Sequence, residues 1–82
     1  METTCPQYMV LDIRKFPVME RNFRVINAFE AIGQHCFFTV VTDRKPDSLR
    51  REFEMELKGR FLWETVQNGP PEWKIMITKM SP

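Results

Sequence analysis

Histidine is nearly absent from this chain, with His35 alone among 82 residues, and cysteine and glycine are scarce, at two and three. One imidazole with no second histidine and no cysteine pair cannot complete a zinc site, so His35, which follows Gly33-Gln34, reads as a partly exposed turn residue. Cys5 and Cys36 show neither the close spacing of a redox pair nor that of a metal finger, and two free thiols are expected. There is no phosphate-cradling glycine loop and no serine, histidine and acid constellation, which argues against a nuclease or a transferase. No apolar run approaches the roughly 20 residues that span a bilayer, and Met1 to Gln7 lacks the basic start and apolar core of a signal peptide; no membrane association and a cytoplasmic location are expected. Charge of one sign is not in excess either. With 12 Lys+Arg against 11 Asp+Glu the net charge is +1, which gives little of the basic surface by which nucleic-acid-coating proteins hold phosphates.

What is present is an ordinary foldable chain, 43% apolar and 28% charged with seven phenylalanines. Its length makes one domain, and folding at this size buries roughly 60 to 65% of the surface an unfolded chain exposes. Tyr8 to Ile13 alternates in the manner of a strand. Pro17 suits a first helical turn, and Val18, Val25, Ile26, Phe29 and Ile32 then recur at helical spacing, predicting a helix over about Val18 to Ile32 with Gly33 as its stop. Cys36 to Thr42 is β-branched and aromatic on both sides, as a central strand is. Asp47 is expected to cap a second helix with Leu49, Phe53 and Leu57 on its apolar stripe and Gly59 at its end. Arg60 to Gln67 and Glu72 to Met80 read as two strands joined by Asn68-Gly69-Pro70-Pro71. The domain expected is residues 8–80, with 1–7 and 81–82 as tails.

Strand, helix, strand, helix, strand, strand, with right-handed crossovers, places both helices on one face of a four-stranded sheet, a two-layer α/β (α+β) sandwich. If the first two strands are parallel neighbours, Leu11-Asp12-Ile13-Arg14-Lys15-Phe16-Pro17 and Thr42-Asp43-Arg44-Lys45-Pro46-Asp47 open on the same sheet edge. Two helix N-termini then aim unsatisfied N–H groups there, beside Arg14, Lys15, Arg21, Arg44 and Lys45. The expectation is a site for a small anion or an acidic group on a partner, with Arg14 and Arg21 as forked donors, Asp12 and Asp43 holding them, and Arg44 alongside. The bland alternative is that these charges are structural ion pairs and caps. A carboxylate-only metal site from Asp12, Asp43 and Asp47 would compete with the same arginines for its oxygens, and no metal or other cofactor is expected.

Leu11-Asp12-x-Arg14, Glu20-Arg21, Asp43-x-x-Pro46 and Gly69-Pro70-x-x-Trp73 together resemble an uncharacterised bacterial family of TusA/SirA-like fold, the domain of unknown function numbered twenty-two forty-nine. The resemblance covers about Val10 to Thr78 and implies a mixed sheet of order 1-2-4-3 and association with hemerythrin-like, cupin-like or related metal and redox proteins. That family commonly carries histidines after the Glu-Arg pair and after the aspartate of the second junction; this chain has Asn22 and Arg44 there. The related sulfur carriers place Cys-Pro where the first strand gives way to its helix, so that the helix N-terminus lowers the thiol pKa. Here the pair is Phe16-Pro17.

The function expected is therefore that of a small non-catalytic accessory domain, binding an anionic ligand or a protein partner, a redox protein or metalloprotein among them, at the two junctions. The alternatives are a sulfur-transfer or metal-linked redox accessory protein and, behind it, a nucleic-acid-binding module using Arg50-Arg51, whose charge Glu52, Glu54 and Glu56 offset. On the open sheet face, either Phe37 and Val41 or Phe38 and Val40 must turn away from the helices beside Met76, an apolar patch suited to a homodimer. Trp63 and Trp73 read as packing residues rather than binding platforms.

Overall fold

Alternation carries the first strand, β1 (Val10–Asp12), only as far as Asp12. In the computed structural model, which describes residues 9–80, Ile13 leaves the strand to open a single 3-10 turn, Ile13–Lys15, and buries its side chain there. The cause is Asp12, whose carboxylate accepts a hydrogen bond from the Arg14 backbone N–H at 3.1 Å. Such local bonds compete with a strand ladder and turn the chain out of it. Tyr8, predicted to start this strand, lies outside the described residues.

The remaining elements are α1 (Val18–Ala31), β2 (Phe37–Thr42), α2 (Asp47–Glu56), β3 (Phe61–Gln67) and β4 (Trp73–Lys79). Their stops differ from expectation in two places. The left-handed backbone after α1 is at His35, φ 67°, and not at Gly33. The end of α1 is held by Lys79, which reaches over from β4 and donates to the carbonyls of Glu30 and Ile32 at 3.1 and 2.8 Å, satisfying groups that a last helical turn leaves open. Asp47 is the first helical residue of α2 and not its cap; Pro46 holds the cap position and offers no side-chain bond. Gly59, φ 78°, has the left-handed conformation expected of a stop.

The four strands form one sheet of order β1-β2-β4-β3. β1 and β2 run parallel, with Val10 opposite Thr39 and Asp12 opposite Val41, while β4 is antiparallel to both of its neighbours. Phe38 and Val40 of β2 and Ile75 and Ile77 of β4 are fully buried beneath Val25, Phe29 and Phe53 of the two helices, so one face is covered and the arrangement is a two-layer α+β fold. Phe53 sits at the centre, in edge-on contact with Phe29, Phe61 and Trp63 at ring separations of 5.3, 5.2 and 5.9 Å. Trp63 and Trp73 pack against this core, the second with its indole N–H donating to Asn68. Phe37, 42% exposed, is on the uncovered face.

Cys36 is fully buried and is disulfide-bonded, so the expectation of a free thiol fails there. Distance along the chain, the ground for that expectation, does not limit which sulfur Cys36 meets once its strand is in the sheet. Cys5 lies outside the described residues.

Candidate functional site

Because β1 and β2 are parallel neighbours, their C-terminal ends deliver both charged junctions to one edge of the sheet. The junctions carry two different constructions. In the first, Arg14 folds back on Asp12 with a forked pair of hydrogen bonds, Nε to Oδ1 at 2.9 Å and Nη2 to Oδ2 at 2.7 Å. Its remaining Nη1 donates to Glu72, the residue just before β4, at 2.8 Å. The bond from the Arg14 side chain holds the Asp12 carboxyl down at about 2 against an opposing desolvation, with the Arg14 backbone N–H and positive charge helping. The same pairing raises the Arg14 pKa, so the guanidinium is committed to its carboxylates.

Arg21, from the first turns of α1, is a clasp. Its Nε donates to the Phe16 carbonyl at 3.0 Å, Nη2 to the Arg14 carbonyl at 3.2 Å, and Nη1 to Asp43 at 3.0 Å. With a side chain only 12% exposed, it ties the first junction to the second. Four of the five residues singled out from sequence, Asp12, Arg14, Arg21 and Asp43, are thus brought together in bonds to one another or to the backbone. Arg44 stands apart: among the described residues, neither it nor Lys45 has a side-chain hydrogen bond or ion pair.

Beside that clasp, between the starts of the two helices, lies a cavity of about 540 Å³. Arg21, Arg44 and Lys45 supply cations to its wall against one carboxylate, Asp47, while Ile13, Val18 and Leu49 give it an apolar side. The start of α2 lines it without a side-chain cap, and N–H groups in a first helical turn have no partner within the helix. Asn22, Thr42 and Ser48 complete the polar lining. Asn22 also fixes the spacing of the helices, its amide donating to Ser48 and Glu52 of α2 at 3.5 and 3.0 Å.

Sequence reasoning placed Lys45 near the site but assigned it no role, named Asn22 only as a position where the resembled family commonly carries histidine, and missed Ser48 and Glu72. Glu72 was legible in principle: once β4 neighbours β2, Thr42 faces Trp73, and the residue before Trp73 must sit at the same edge as Asp43. Asn22 follows Arg21 by one position on a helix whose other face is apolar, a place from which only knowledge of the α1–α2 packing can direct it.

Among the described residues, no group of three or more His, Cys, Asp or Glu side chains is placed to hold a metal ion, and no helix is long and apolar enough to cross a membrane. No curated protein and no solved structure matches the chain. Residues 10–79 do match one family model, and they carry both junctions, the clasp and the whole sheet: the chain belongs to the uncharacterized conserved protein family DUF2249.

Proposed function

We propose that this chain is a non-catalytic accessory domain whose cavity at the starts of α1 and α2 receives the anionic group of a ligand or of a protein partner. The observation that carries the reading is the contrast between the arginines. Arg14 and Arg21 are spent on carboxylates and carbonyls, whereas Arg44 and Lys45 line the cavity with no side-chain partner among the described residues. An oxyanion at the uncapped start of α2 would take its free N–H groups and the positive end of the helix dipole, with both cations within the same wall. The apolar side formed by Ile13, Val18 and Leu49 favours an anion attached to an apolar body over a bare ion. Asn22 and Arg44, the positions where the resembled family commonly carries histidine, line this same cavity, which supports it as the place where members differ in what they hold.

The sulfur-transfer alternative has no thiol near this cavity among the described residues, since Cys36 is buried just before β2 and disulfide-bonded. The nucleic-acid alternative loses Arg50 to an ion pair with Glu54 at 3.2 Å.

Amide chemical shifts followed during titration with phosphate, sulfate, benzoate and phenyl phosphate test the proposal. Shifts should cluster at Arg44 to Leu49 and at Asn22, with phenyl phosphate saturating at lower concentration than phosphate, and Arg44→Glu with Lys45→Glu should abolish them. No clustered shift with any of the four, or a response centred on Asp12 and Arg14, would dismiss this cavity as an anion site.

A further inference from the structure

β3 is an edge of the sheet, and from Phe61 to Thr65 it is flat and free of proline and lysine. Natural edge strands are commonly blunted by proline, by lysine or by being short; β3 has seven residues, Phe61–Gln67, with neither proline nor lysine among them. Its only irregularity is a register shift between Thr65 and Gln67, which leaves Arg60 to Thr65 as the flat part of the edge. The Arg60 carbonyl accepts from the Met80 N–H at 2.9 Å, so Arg60, Leu62 and Glu64 turn their backbone groups toward β4. By the alternation of an antiparallel ladder, Phe61 and Trp63 then turn theirs outward, with no strand among the described residues to receive them.

The side chains along this edge are sorted in a way that selects a partner. Phe61 and Trp63 lie on the helix-covered face, at the mouth of a cavity of about 690 Å³ whose rim includes exposed Met55. Leu62, 45% exposed, and Glu64 are on the opposite face, as is Arg60 by alternation. Arg60 and Glu64 have no side-chain partner among the described residues. They cannot reach each other, because four residues along a strand span about 13 Å.

We infer that the partner of this edge is a second copy of the same chain, joined β3 to β3 in antiparallel fashion about a two-fold axis through Leu62. In that register Phe61 exchanges both backbone hydrogen bonds with the partner's Trp63, and Trp63 does the same with the partner's Phe61. On the covered face the two aromatic pairs meet; on the other, Leu62 touches the partner's Leu62. Arg60 faces the partner's Glu64, and Glu64 the partner's Arg60, so each unpaired charge gains its opposite. The alternative register centred on Trp63 would set Leu62 against the partner's Glu64 and would have to run through the irregular stretch after Thr65. The result is a continuous eight-stranded sheet, formed at the side of the fold away from β1 and requiring nothing of the anion cavity.

Charge reversal tests this register. Sedimentation of the full chain should show a concentration-dependent dimer. Arg60→Glu and Glu64→Arg should each raise its dissociation constant by at least about tenfold, since each sets like charges opposite one another twice. Mixing the two variants should restore a one-to-one heterodimer. One variant then carries acidic side chains at both positions and the other basic side chains at both, so each of the two contacts about the axis again joins opposite charges. A wild-type chain that stays monomeric throughout, single variants that dimerise as the wild type does, or a mixture that remains monomeric would each overturn the inference.

Discussion

Arginine takes three distinct parts within a short stretch of this molecule, and its neighbours decide which. Arg14 has Asp12 two residues away in a tight turn, and the fork closes on itself. The Asp12 carboxyl, held at about 2 in the folded chain, has an ordinary value near 3.9 in an unfolded one. Since the folded value is the lower, the pair contributes stability that is fully present above about pH 5 and is lost as pH falls from about 4 through 2. Both side chains are more than a third exposed, so solvent screening keeps that contribution small. A carbon-detected NMR titration of the Asp12 carboxyl should therefore give a midpoint near 2, and Arg14→Ala should return it toward 3.9. A midpoint unmoved by the substitution would show that Arg14 is not the cause. Arg21 differs because its partners are carbonyls of the turn as well as Asp43, which makes it a brace of the backbone. Arg44 and Lys45, just past Asp43 in the second junction, have no side-chain partner among the described residues.

At the scale of elements, α2 illustrates how much a ten-residue helix can do with a narrow stripe. Leu49 and Phe53 are its buried residues, and Phe53 alone touches rings from α1 and β3. Phe53→Ala should cost about 3–5 kcal/mol, as truncation of a core aromatic does, whereas Met55→Ala, on the exposed side, should stay within about 0.5 kcal/mol. Urea midpoints of the two variants, compared at unchanged slope, measure the difference; equal effects would mean that the stripe is not the axis of the helix's packing. That stripe was readable from Leu49, Phe53 and Leu57, and so were the strands, because burial on one face writes its period directly into the sequence. The terminators were less readable. Gly33 looked like a stop, yet Lys79, nearly fifty residues away, supplies the groups that end α1, and no local signal announces a cap delivered across the sheet. The site divided in the same way. Asp12 to Arg14 lies within reach of sequence reasoning because its partners are adjacent in the chain, while the cavity lining contributed by Asn22 and Ser48 depends on how two helices pack.

For the whole molecule, the order β1-β2-β4-β3 separates the two surfaces for which functions are proposed. The cavity proposed to take an anion is at the start of α2, near Pro46 to Leu49, and the outer edge of β3 adjoins the other end, where Met55 and Lys58 border Phe61 to Trp63. A helix of ten residues spans about 15 Å, and substitutions farther apart than roughly 7–10 Å with no shared partner act additively. Among the described residues no charged side chain serves both surfaces: Arg44 and Lys45 line the cavity, and Arg60 and Glu64 lie on the edge. Binding at one should therefore leave the other unchanged, since coupling is reciprocal and needs some element that both sites bias. The dissociation constant for phenyl phosphate, measured by calorimetry on the wild-type chain and on the edge variant Glu64→Arg, should agree within about twofold, the tolerance of additivity at about 0.5 kcal/mol. The reverse measurement, sedimentation of Arg44→Glu, should give the wild-type association curve. If phenyl phosphate binds severalfold more tightly to the associated form, the link would run through α2, which among the described residues borders both surfaces, as a shift of that helix along the sheet with Phe53 as its pivot against α1 and β3.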